Sequence, residues 1–160
     1  MNRLLLALSL LTTLIFSSPV AAQQSQDFGN YVVHYNALNT NLIPPQVAQA
    51  YGIVRSSSRA LLNVTVLRKV MDTPGTPASA SIKASATNLT GQLRELEFRE
   101  LKEPEGAVYY IAELPVHNLE TYRFEITVSI SGEQDPLIVR FTQQFYTSRE
   151  KFMRDSVTPA

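Results

Sequence analysis

The sequence predicts an all-β protein, an antiparallel β-sandwich of about seven strands with one short connecting helix near 45–51. Three observations carry that reading. Apolar and polar residues alternate with a period of two in segment after segment. Gly, Pro, Asn and Asp punctuate those segments at a spacing of roughly 10–15 residues. The one internal helix signal covers only about two turns. A partly open β-barrel fits the same pattern and is the alternative.

The first 22 residues stand apart. Met1-Asn2-Arg3 is a short cationic head, Leu4 to Phe16 is apolar, and Ser17-Ser18-Pro19-Val20-Ala21-Ala22 closes the run with small residues. That is the pattern of a secretory signal peptide, with cleavage expected after Ala22. The run falls short of the roughly 20 apolar residues that span a bilayer. No later run approaches membrane length, so no transmembrane segment is expected after cleavage. Residues 23–146 then form one sandwich domain, and residues 147–160 a tail expected to be mobile.

Composition removes several chemistries. The chain has no cysteine, which excludes disulfides, thiol redox chemistry, thiolate metal sites and lipid attachment at a cysteine. Lys plus Arg and Asp plus Glu are 14 each, so loss of Arg3 leaves the mature chain at −1. Charge this balanced and scattered gives no footprint for nucleic acid or an anionic membrane.

Along the mature chain, Tyr31 to Tyr35 reads as the first strand, with Tyr31, Val33 and Tyr35 on one face. Asn36 to Asn41 reads as a polar exit. Pro45 suits the first position of a helix, where its missing N–H costs nothing. Gly52 suits the position just past the end, with Ile53 folding back against Ala48. Val47, Ala48 and Tyr51 share one side. So short a helix forms only if docked on the sheet, and we expect it to close one end of the fold.

Strands follow. Leu62, Val64 and Val66 alternate with Asn63 and Thr65, and Met71 to Pro77 is a loop broken by two prolines and a glycine. Ile82, Ala84 and Ala86 give a strand with a small-residue inner face, and Asn88 to Gly91 turns it. Leu96 and Phe98 form the inner face of the next, where Leu93 is out of phase and suggests a bulge near Arg94 or Glu95. Lys102 to Gly106 is a hairpin turn into Val108 to Ala112, and Leu114 to Asn118 a longer crossing. Tyr122, Phe124, Ile126, Val128 and Ile130 make the cleanest strand. Ser131 to Pro136 turns into a last strand carrying Leu137, Val139 and Phe141 and extending to Phe145. Seven strands in that rhythm point to an immunoglobulin-like sandwich, without the usual disulfide or core tryptophan.

No catalytic constellation is present. The imidazole and thioether ligands His34, His117, Met71 and Met153 show no close spacing, so no metal site is expected. There is no Gly-x-Ser-x-Gly elbow, and Glu95, Glu97 and Glu100 read as the solvated face of a strand. The chain is therefore expected not to be an enzyme and to need no cofactor. The binding candidates are Tyr35, Asn36, Tyr51, Arg55 and Arg59. Arg55 and Arg59, four apart around three serines, could grip a carboxylate, phosphate or peptide terminus. The more ordinary reading is that they pair with sheet-face glutamates or flank the strand in solvent.

Three stretches, Tyr31 to Ala37, Pro45 to Ser56 and Arg59 to Val64, resemble a family of small exported proteins of Gram-negative bacteria classed only as a domain of unknown function. Ala86 to Gln92, Leu96 to Glu100 and Tyr109 to Glu113 add to the resemblance, which runs from Phe28 to about Phe145. It implies a periplasmic, immunoglobulin-like module and supplies no activity or site. Together with the residues it gives the expectation of a non-enzymatic binding or accessory module engaging a periplasmic or envelope protein. The alternative is a small-ligand or metal carrier.

Overall fold

The computed structural model describes residues 24–71 and 73–147. The expected signal peptide and the expected mobile tail lie outside these residues, apart from Thr147. Among the described residues, ten strands form two antiparallel sheets and no closed barrel. β1 (Gln24–Asp27), β2 (Tyr31–Asn39), β3 (Arg59–Arg68), β8 (Val108–Pro115) and β7 (Arg99–Lys102) lie side by side in that order, with the two-residue β4 (Thr76–Pro77) paired to the end of β3. The second sheet runs β10 (Leu137–Gln144), β9 (Thr121–Ile130), β5 (Ala80–Asn88), β6 (Leu93–Leu96).

The two sheets pack face to face as a β-sandwich. The inner residues of β2, β3 and β8 (Val33, Leu62, Val64, Tyr110 and Ala112 among them) meet Ala86, Phe124, Ile126, Val128 and Val139 in one apolar cluster. Strict alternation along β9 makes this possible, because every second residue from Tyr122 to Ile130 is buried and the residues between face outward. Phe124 sits at the centre, stacked on Phe141 with ring centroids 4.7 Å apart and edge-on to Phe145 at 6.3 Å.

Four local readings are corrected. β2 runs on through Asn36–Asn39 rather than stopping at Tyr35, because β3 offers a partner for each residue, from Asn36 opposite Asn63 to Asn39 opposite Ala60. The expected strand around Leu96 is two strands. β6 pairs with β5, the chain crosses at Glu97 and Phe98, and β7 pairs with β8 in the other sheet. Phe98 still packs on the core during the crossing, so the alternation continues while the backbone changes sheets. There is no bulge at Arg94 or Glu95, since β6 pairs with β5 residue by residue and Leu93 simply faces out. Within the expected 71–77 loop, Thr76 and Pro77 pair with β3.

The helix α1 (Pro45–Ala50) starts with Pro45 as expected and ends in the expected way. Gly52 takes the left-handed conformation at φ +61, which a Cβ would penalise. Ile53 N–H donates to Ala48 O at 2.8 Å and Gly52 N–H to Gln49 O at 3.3 Å, the paired bonds of a Schellman helix end. Its position differs from expectation. α1 lies on the outer face of the six-stranded sheet, not at an end of the fold, and Ala48 rather than Val47 carries the docking. Ala48 joins Ile43, Ile53, Leu61 and Ile111 in a second apolar cluster, while Val47 is 41% exposed.

Candidate binding cleft

The outer face of the six-stranded sheet is apolar where α1 covers it. Because strand side chains alternate, residues 34, 36 and 38 on β2, 61 and 63 on β3, and 109 and 111 on β8 point away from the sandwich core. Leu38, Leu61 and Ile111 form an apolar floor beneath the helix segment. Above it stand Ile43, Val47, Tyr51 and Ile53. β7 and its turn add Leu101 and Glu103, and β8 adds Tyr109. Between them is a cleft of ≈ 350 Å³, within the range of roughly 300–1,000 Å³ usual for small-ligand sites.

On the cleft floor the polar residues are Asn36 and Asn63, which face each other in the β2–β3 register beside Ile111. Each carboxamide oxygen is buried and finds no hydrogen-bond donor. A buried acceptor left without a donor costs about 1–3 kcal/mol. Just beyond Asn36 on the same face, the buried Nδ1 of His34 is also without a partner. Three such groups side by side on one sheet face mark it off from the rest of the strand surfaces.

A polar lacing anchors the helix segment. The fully buried Thr40 donates its hydroxyl to Val54 O at 2.8 Å and accepts Ser56 N–H at 2.9 Å. Asn39 Nδ2 donates to Ser57 O at 2.6 Å. These bonds tie the start of the 40–58 excursion to its return, so the roof of the cleft is held at both feet.

The sequence-derived candidates separate in space. Asn36 and Tyr51 both line the cleft. Tyr35 faces the sandwich core, its ring 4.8 Å from that of Phe141. Arg55 is exposed and donates to Asn41 O at 2.8 Å. Arg59 pairs with Glu113 at 3.3 Å, and Arg99 pairs with the same carboxylate at 3.6 Å. Neither Arg55 nor Arg59 lines the cleft. Sequence reasoning missed Leu38, Leu61, Asn63, Leu101, Glu103, Tyr109 and Ile111. A usable signal was present in the pairs Leu61-Leu62 and Ile111-Ala112, because neighbouring apolar residues in a strand mean that both faces are covered.

A second charged cluster lies where the chain crosses between the sheets after β8. Burial alone would raise the Glu120 carboxyl. Hydrogen bonds from Asn88 Nδ2 (3.1 Å), the His117 ring (3.0 Å) and His117 N–H (2.9 Å) outweigh it and hold the carboxyl at about 2. Among the described residues, no group of three or more His, Asp or Glu is placed to hold a metal ion, and no helix is long and apolar enough to cross a membrane.

No curated protein matches the chain. Among solved structures, it is similar to the crystal structure of a DUF4426 family protein from Pseudomonas aeruginosa PAO1. The two share 37% sequence identity at a TM-score of 0.68, over 79% of this chain and 97% of that one. The family profile for a domain of unknown function, DUF4426, matches residues 25–148. The chain belongs to the DUF4426 family.

Proposed function

We propose that this protein is an exported, non-catalytic binding module of the periplasm whose ligand site is the cleft between α1 and the outer sheet face. The observation that carries it is an apolar floor with two carboxamide side chains, Asn36 and Asn63, set into one concavity. Carboxamides on an otherwise apolar face are a cost to a purely structural surface, and they are the few polar groups that orient a ligand in a mostly apolar site. Export rests on the pattern of residues 1–22. An immunoglobulin-like assignment is supported by the strand orders β2-β3-β8-β7 and β10-β9-β5, which follow the ABED and GFC arrangement of such sandwiches.

The test is titration of the 13C-methyl-labelled protein with small aromatic probes such as 2-phenylethanol. Shifts confined to the methyls of Leu38, Leu61 and Ile111 are expected, with those of Val64 and Val128 unmoved. No shift at any of them would sink the reading. Cell fractionation with N-terminal sequencing checks export; mature protein in the periplasm starting at Gln23 is the expected result.

A second reading, a protein partner engaged by strand addition, is favoured by one observation. Among the described residues β10 pairs on one side only, leaving an eight-residue edge. Val139→Pro is buried and would confound the test, so Arg140→Pro at the exposed neighbouring position is the informative change. Strand addition predicts loss of partner capture with the fold kept.

A further inference from the structure

We propose that the cleft is an amine site, taking a compact apolar ligand that carries a primary ammonium head. The inference rests on the cleft reading above and goes further by assigning the chemistry of the head group. Its basis is the charge and hydrogen-bonding character of the lining. Glu103 is the one charged side chain there, and its carboxylate has no ion pair among the described residues. The cations of β3 and β7 lie outside the lining, Arg59 and Arg99 on the one carboxylate of Glu113 and Lys102 3.5 Å from Glu100. The lining therefore carries a single unbalanced negative charge.

The neutral polar groups favour the same head. Asn36 and Asn63 set uncharged carboxamides, and no cation, beside the apolar floor. Tyr51 and Tyr109 add aromatic faces, which attract cations through the ring quadrupole. An ammonium supplies three donors and no acceptor, matching the carboxylate and the two rings together. A carboxylate head meets Glu103 with no cation in the lining to offset the repulsion. A neutral alcohol fills the apolar floor but leaves the charge unanswered.

The experiment compares three probes of one shape, 2-phenylethylamine, 2-phenylethanol and 3-phenylpropionate, titrated at pH 7 into the protein and into Glu103→Gln. The amine is expected to bind about tenfold more tightly than the alcohol, and 3-phenylpropionate more weakly than either. Glu103→Gln is expected to remove the amine's advantage and leave alcohol binding unchanged, which a general loss of fold would not do. Equal affinity for amine and alcohol overturns the amine assignment while leaving the cleft reading intact. Absence of shifts at Leu61 and Ile111 with all three probes overturns both.

Discussion

Strands β2, β3 and β8 each contribute to two apolar clusters, one on either face of the sheet. On the inner side, Val33, Leu62 and Val64 have no exposure and meet equally enclosed residues of β9. On the outer side five buried residues suffice, Ile43, Ala48, Ile53, Leu61 and Ile111, under a roof whose Leu42, Val47 and Val54 stand in solvent. The inner cluster fills its space with interlocking rings. The outer one leaves a cleft and unpaired carboxamide oxygens beside it. The same strands thus support a face closed for stability and a face left unfinished, and the proposed site lies on the second.

The largest expected effect tests the inner face. Phe124→Ala removes a ring that touches Phe141 and Phe145 and leaves a cavity between two sheets that cannot collapse independently. Urea unfolding should show a loss of about 3–5 kcal/mol. A loss below about 1 kcal/mol would mean that the inner cluster is no tighter than the outer one.

Next comes the crossing after β8, where the chain passes from one sheet of the sandwich to the other. Glu120 is held well below the ordinary carboxylate value, so its contribution is fully present above about 4.5 and is lost as pH falls toward about 2. Acid titration of stability should show that loss, of about 1–3 kcal/mol for a hydrogen-bonded charge. Glu120→Gln should flatten the profile across the same window. An unchanged profile would place the acid sensitivity elsewhere.

Much of the inner face was legible in the sequence, because a half-buried strand writes its exposure directly into its alternation. Tyr122 to Ile130 reads correctly residue by residue. Both ends of α1 were legible too, since Pro45 and Gly52 act through local backbone geometry. What failed was non-local. Asn36 has poor strand propensity, and only its pairing with Asn63 makes it part of β2. Phe98 hides the switch of sheets by packing on the core throughout. The cleft depends on register, which sets Asn36, Asn63 and Ile111 side by side, and a single sequence does not print register. Arg55 and Arg59 drew attention as a charged pair, yet each is committed to a local partner outside the cleft.

The outer face should give way locally before the fold does. Gly52→Val forces a β-branched residue into the left-handed region, although open space surrounds the site and the nearest atom to a new Cβ is Arg99 Nη1 at 4.0 Å. The penalty is therefore backbone strain of about 1–2 kcal/mol. It should appear as faster amide exchange at Ile53, whose N–H closes the helix end on Ala48, with β9 amides unaffected. Uniform acceleration across β9 would show that the two faces unfold as one unit.

The smallest effect is the most discriminating. Asn36→Leu removes one carboxamide whose oxygen is buried without a donor and puts an apolar side chain beside Leu38 and Ile111. Ordinary truncation logic predicts destabilisation, as for most substitutions at part-buried positions. An unfinished face responds the other way, because deleting an unsatisfied acceptor returns its desolvation cost. Unfolding should show a gain of about 0.5–1 kcal/mol. The same change should weaken binding of 2-phenylethylamine, since it removes one of the two carboxamides that line the cleft. Stability gained together with affinity lost is the signature of a residue kept for its ligand. A loss of stability with affinity intact would show that Asn36 is satisfied in solution, and that the outer face is as complete as the inner one.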